Sequence, residues 1–221
     1  MSELKFHEYC EVKKPKYLVV FLHGYGANGV NLLDLAYEFR SVLPEAHFIS
    51  PDGVQPWEGG FPDAYQWFSL KSGLNGLDLD LMSQEIKNSN KILEDFINHQ
   101  LDRFDIMAEN LFIIGFSQGA MMSIYQGLIK NRKPAGVIAF SGKLVLPESI
   151  GEKTLSKPEI CLIHGEKDPI VPFSNFLEAK KTFQKEQIPF ESHAIPNLEH
   201  SIDMNGIKAA KNFIKKQLKQ T

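Results

Sequence analysis

The 221-residue sequence is short of several things, and each shortage removes a class of protein. It has no apolar run approaching the roughly 20 residues that span a bilayer. Its opening Met-Ser-Glu-Leu-Lys-Phe-His-Glu has no apolar core of a secretory signal. Cysteine is scarce: Cys10 and Cys161 stand alone, without the spacing of a metal site or a disulfide framework. Cys161 sits inside Glu159-Ile160-Cys161-Leu162-Ile163, where a buried free thiol is expected. A positive surplus is also absent. Lys and Arg total 24 against 27 Asp and Glu, a net charge of −3, so no basic surface draws nucleic acid or anionic membrane. No repeat, linker or low-complexity segment interrupts the chain. The expectation is one domain over residues 1–221, cytoplasmic, a monomer or homodimer, with no nucleic-acid partner and no stable membrane insertion.

What is present is an alternation of apolar strands and amphipathic helices. Phe6 to Val12 reads as an edge strand, and Lys16-Tyr17-Leu18-Val19-Val20-Phe21-Leu22 as a strand buried on both faces. A helix is expected over Asn31 to Val42 and a strand over Ala46 to Ser50. The stretch from Pro51 to Gly76 is rich in Gly, Pro and aromatics, and connections that long are usually functional. Within it, Tyr65-Gln66-Trp67-Phe68 is a candidate pocket wall. Met82, Ile86, Leu93, Phe96, Ile97 and Leu101 give the period of a long helix from Leu79 to Phe104. Buried strands follow at Leu111, Ala135 and Glu159, then a helix from Phe173, a strand from Phe190 and a last helix through Ile207, Ala210, Ile214 and Leu218. The pattern is α/β, with a mostly parallel central sheet flanked by helices.

One stretch carries chemistry. Leu111-Phe112-Ile113-Ile114 runs into Gly115-Phe116-Ser117-Gln118-Gly119, and helix-compatible residues follow. Gly-x-Ser-x-Gly between a strand and a helix is the layout of a nucleophile elbow, in which a sharp turn lifts the serine above the sheet. The Gln118 N–H, opening the helix, then points where an oxyanion forms. The bland alternative is a glycine-lined turn whose serine caps the helix. Earlier in the chain, His23-Gly24-Tyr25-Gly26-Ala27-Asn28-Gly29 lacks the Lys-Ser/Thr of a phosphate-binding loop. It reads instead as a loop supplying a second oxyanion donor, or as a tight strand-to-helix turn.

A serine needs a positioned base, and the base an orienting acid. In α/β-hydrolases these follow in the order Ser, Asp/Glu, His, each at a strand's C-terminal end. Asp168 follows the Ile160-to-Ile163 strand and His200 the strand ending near Ile195. The competitors fit less well. His23 precedes the serine, His164 precedes the acid, and His193 falls within a strand. Glu199 and Asp203 are alternative orienting acids, but neither directly follows a strand.

Phe21-Leu22-His23-Gly24-Tyr25-Gly26, Gly115-Phe116-Ser117-Gln118-Gly119-Ala120, His164-Gly165-Glu166-Lys167-Asp168-Pro169-Ile170-Val171-Pro172 and Glu199-His200-Ser201 together resemble the phospholipase/carboxylesterase family, which includes acyl-protein thioesterases. The resemblance runs from about Lys16 to Leu218. It implies an α/β-hydrolase fold without a large lid domain. By it, Ser117, Asp168 and His200 match the catalytic triad, the amides of Tyr25 and Gln118 the oxyanion hole, and Trp67, Phe68 and Leu144 the acyl pocket. The implied activity is a serine carboxylesterase acting through an acyl-enzyme, with no metal or organic cofactor. Its substrate is a small-molecule ester or thioester. The alternatives are an acyl-protein thioesterase or lysophospholipase taking an acylated protein or lysolipid, and, from another class, a non-catalytic scaffold that binds a ligand. Asn197 stands where the family often has glycine, and Ala27 and Ser69 where it commonly has Asp.

Overall fold

The computed structural model describes residues 4–70, 72–73, 76–77, 79–130, 132–145 and 156–219. In chain order the elements are β1 (Phe6–Tyr9), β2 (Tyr17–Leu22), α1 (Val30–Leu33), α2 (Leu35–Phe39) and β3 (Ala46–Pro51). Two minimal hairpins follow, β4 (Gln55–Pro56) with β5 (Tyr65–Gln66), and β6 (Ser72–Gly73) with β7 (Gly76–Leu77). Then come α3 (Leu79–Phe104), a 3-10 turn (Ala108–Asn110), β8 (Leu111–Phe116), α4 (Gln118–Ile129), β9 (Gly136–Phe140) and β10 (Ile160–Gly165). The chain continues through α5 (Ser174–Lys185), β11 (Phe190–Ile195) and α6 (Met204–Gln217).

Seven strands form the central sheet in the order β1-β3-β2-β8-β9-β10-β11. Only β1 pairs antiparallel, along β3; every other pair is parallel. The inner strands are apolar because both their faces are covered. Alternation along β2 sends Leu18, Val20 and Leu22 to one face and Val19 and Phe21 to the other. The first face packs on α3, through Ile86, Leu93 and Ile97, and further along on α4 and α5. The second packs on α1, α2 and α6, where Phe39, Phe213 and Ile214 are buried. Each such side chain contributes roughly 1.5–3 kcal/mol through area removed from water.

The helix expected over Asn31 to Val42 is broken at Asp34, where a tighter i→i−3 bond from the Tyr37 amide to the Asp34 carbonyl replaces the regular ladder. Of the connection that follows β9, residues 146–155 lie outside the described residues. Among the described residues no helix is long and apolar enough to cross a membrane.

From β2 the chain steps outward to β3, and later enters β8 on β2's other side. This reversal leaves a crevice at the C-terminal ends of the central strands, the usual ligand position in an open α/β sheet.

Candidate active site

The turn after β8 is shaped by two glycines. A Cβ on Gly115 would lie 2.2 Å from the Gly119 carbonyl oxygen, and one on Gly119 only 1.9 Å from the Leu22 oxygen. The elbow is thus pressed against the end of β2, with no room for a side chain. Between them Ser117 adopts φ 55°, ψ −117°, a conformation costing a non-glycine residue about 1–3 kcal/mol. The surroundings hold it there. Its N–H donates to the Phe140 oxygen at 2.9 Å, and its carbonyl accepts from the Ala120 and Met121 amides as α4 begins.

The loops after β10 and β11 bring Asp168 and His200 to this turn. They are stitched together: the Glu166 amide donates to the Ile195 oxygen and the Lys167 amide to the Leu198 oxygen, both at 3.0 Å. Asp168 Oδ1 accepts from the amides of Ile170 at 2.9 Å and Val171 at 2.8 Å. Its Oδ2 faces His200 Nδ1 at 2.7 Å, and His200 Nε2 lies 3.0 Å from Ser117 Oγ. A carboxylate only accepts, so Nδ1 carries the imidazole proton and Nε2 is free to take one from the serine. Burial acts to raise the Asp168 pKa, but the hydrogen bonds from His200, Val171 and Ile170 outweigh it and hold the carboxyl below its ordinary value. The Phe116 ring packs on the imidazole, centroids 4.8 Å apart. Such a chain of donor, imidazole and carboxylate moves a proton off a hydroxyl as it attacks.

The loop after β2 is fastened through His23, which is fully buried. Its Nε2 accepts from the Gly53 amide at 2.8 Å, so Nδ1 bears the proton donated to the Gly24 oxygen at 2.7 Å. Burial lowers the His23 pKa and keeps the ring neutral, as this pairing requires. The Tyr25 hydroxyl donates to Glu58, whose Oε2 also accepts from Ser69 Oγ at 2.6 Å. Burial first, and then Glu58, push the Tyr25 phenol up to about 12. Among the described residues, neither the Tyr25 amide nor the Gln118 amide at the head of α4 has a protein acceptor.

A cavity of about 860 Å³ opens at this point, bordered by His23, Tyr25, Ser117, Gln118 and His200. Its apolar lining comes from Leu32, Leu35, Phe116, Met121, Ile170 and Val171. Trp67, Phe68 and Leu144, the residues that the resemblance matches to the acyl pocket, do not border it, and neither do Tyr65 and Gln66. Trp67 and Phe68 are fully buried behind the site among the α3 contacts. There the Trp67 amide donates to Gln118 Oε1 at 2.8 Å, Gln118 Nε2 donates to the Phe68 oxygen at 2.7 Å, and Trp67 Nε1 donates to the His23 oxygen at 2.9 Å. They brace both loops from beneath because a large ring gains most by leaving water altogether. Leu144 packs on the cluster between α4 and α5.

The competing residues have other work. Asp203 caps α6, its Oδ1 accepting from the Gly206 amide at 2.8 Å. His193 is half-exposed and bonds Glu191 at 3.0 Å. His164, which comes before the acid in the chain, nonetheless reaches it: its Nε2 donates to the Val171 oxygen at 2.8 Å and stands 3.5 Å from Asp168 Oδ2. The lining from Leu32 of α1 and Leu35 of α2 has no distinct sequence signal, because those leucines carry the ordinary pattern of a packing face.

The family model for phospholipase/carboxylesterase matches residues 8–218. An acyl-protein thioesterase 1 of Debaryomyces hansenii is 28% identical, the match covering 94% of each chain. Esterase YpfH of Escherichia coli K12 is 25% identical over 95% of this chain and 88% of its own. The crystal structure of esterase PE8 superposes with a TM-score of 0.88 at 30% identity, covering 97% of this chain and 99% of that one.

Proposed function

The chain belongs to the phospholipase/carboxylesterase family of hydrolases, and from that premise we propose that it is a serine carboxylesterase working through an acyl-enzyme. Ser117 Oγ attacks the acyl carbonyl while His200 Nε2 takes its proton. Asp168 holds the imidazole in the tautomer that makes Nε2 the acceptor. The tetrahedral oxyanion rests on the Tyr25 and Gln118 amides, and loss of one such donor costs on the order of 3 kcal/mol of transition-state stabilisation. The imidazolium then returns its proton to the leaving oxygen or sulfur. Water, activated by the same nitrogen, frees the acid and restores Ser117.

The observation that carries this reading is the pair of contacts at 3.0 Å and 2.7 Å from Ser117 Oγ through His200 to Asp168, opening onto an apolar cavity. A non-catalytic scaffold has no physical need of such a chain. The sheet that joins β1 to β11 supports a single hydrolase domain over residues 1–221. A thioesterase reading uses the same groups, because a thiolate leaves at least as readily as an alkoxide. It is supported by the relatives named acyl-protein thioesterase.

The test is hydrolysis of p-nitrophenyl esters from acetate to palmitate, with matched S-acyl substrates and Ser117→Ala alongside. The expected result is turnover that Ser117→Ala abolishes, with formation of an acylated Ser117 detectable by mass. Equal inertness of wild type and variant on both ester and thioester series would leave the scaffold in its place.

A further inference from the structure

Away from the crevice, on the face covered by α6, the sheet edge gathers three side chains of different chemistry. β10 and β11 pair in parallel with Cys161 opposite Glu191 and Ile163 opposite His193. Because side chains alternate across a strand, Glu191 and His193 share the face on which Cys161 lies. Glu191 Oε1 is 3.0 Å from His193 Nε2 and 3.9 Å from Cys161 Sγ, and the three donor atoms all lie within 4.8 Å of one another.

A tetrahedral zinc with bonds of about 2.3 Å to sulfur and 2.0–2.1 Å to nitrogen and oxygen separates its ligands by roughly 3.3–3.6 Å. The 3.0 Å and 3.9 Å spacings lie within about half an ångström of that arrangement, and closing a spacing of up to 4.8 Å to it takes at most about 1.3 Å, shared between two side chains. The two carboxylate oxygens are also already divided. Lys216, from α6, holds Glu191 Oε2, leaving Oε1 turned toward the sulfur and the imidazole. The Glu191 and His193 side chains are 24% and 36% exposed, so a cation and a water ligand can enter from the edge strand.

We propose that Cys161, Glu191 and His193 form a binding site for one borderline-soft divalent transition cation, of which zinc is the type, with water as the fourth ligand and Lys216 retained on the outer carboxylate oxygen. A Cys, His and carboxylate donor set selects such metals over calcium or magnesium, which take oxygen ligands. Binding releases the thiol proton and ties β10 to β11, the strands whose following loops carry Asp168 and His200. The site is independent of the ester chemistry, and its test does not use activity.

The metal-free protein is titrated with Zn²⁺ by calorimetry and with Co²⁺ by absorption. The expected result is one equivalent bound and a near-ultraviolet thiolate-to-cobalt band. Tm should rise by about 5–10 °C when free Zn²⁺ is a hundred times the dissociation constant. Cys161→Ser removes the band, and His193→Gln weakens binding by more than about tenfold. Because Cys161 is buried, His193→Gln and Glu191→Gln serve as the second variants. Their metal-free melting temperatures report whether folding is intact. Absence of saturable one-equivalent binding overturns the proposal, as does binding that all three variants retain unchanged, which would place the metal on other surface groups.

Discussion

Gln118 separates what its backbone does from what its side chain does. The side chain spans two buried main-chain groups, accepting from the Trp67 amide at 2.8 Å and donating to the Phe68 oxygen at 2.7 Å. Trp67 and Phe68 are fully buried, so water cannot take over either partner. Gln118→Met keeps the length and volume of the side chain and removes both bonds. Each buried group left unpaired costs about 1–3 kcal/mol, and the more apolar thioether returns roughly 1 kcal/mol, for a net loss of about 3 kcal/mol. With a slope near 3 kcal/mol per molar urea for a chain of this size, the unfolding midpoint falls by about 1 M. The Gln118 N–H, the oxyanion donor in the proposed mechanism, is untouched, so turnover of p-nitrophenyl ester by the folded variant should fall by less than about tenfold, far short of the loss expected on removing such a donor. A midpoint within about 0.2 M of wild type refutes the bracing argument. A collapse of kcat in protein that melts normally refutes the separation of side chain from amide.

Substitutions at three other positions probe the same construction. Asp168→Asn takes away the acceptor that fixes the imidazole tautomer, and kcat should drop by about 10⁴, as in the corresponding change of a serine protease triad. Since the Asp168 carboxyl is held below its ordinary 3.8, wild type's stability advantage over this variant is fully present above that pH and is lost as pH falls through the lowered folded value; denaturation at about pH 7 and about pH 3 reads the difference. Gly119→Ala drives a Cβ to 1.9 Å from the Leu22 oxygen, so the variant loses about 1–3 kcal/mol or more together with most of its activity, and a wild-type Tm would count against the jammed elbow. Asn197, at φ 60°, should tolerate Gly within about 0.5 kcal/mol whereas Asn197→Val costs about 1–2 kcal/mol; indistinguishable melting of the two variants would remove the left-handed argument.

Periodicity and order in the chain were enough to read the α/β layout, because parallel inner strands must be apolar on both faces and the helices covering them on one. The same logic placed Ser117, Asp168 and His200 at one rim: successive parallel strands send their C-terminal ends to the same side. The departure at Asn197 also has a local reason, since asparagine tolerates the left-handed conformation usually left to glycine. What an aromatic side chain faces is not a local property. The pattern reads Trp67 and Phe68 as pocket wall, but the fold turns them inward to brace the loops, and the apolar lining comes from Leu32 and Leu35 of α1 and α2 together with Phe116, Met121, Ile170 and Val171. The distances linking Ser117, His200 and Asp168, the neighbourhood of His164 and the meeting of Cys161 with Glu191 and His193 likewise depend on strand pairing between segments far apart in sequence. Local pattern reports which face of an element is buried; only the packed sheet decides which buried faces meet.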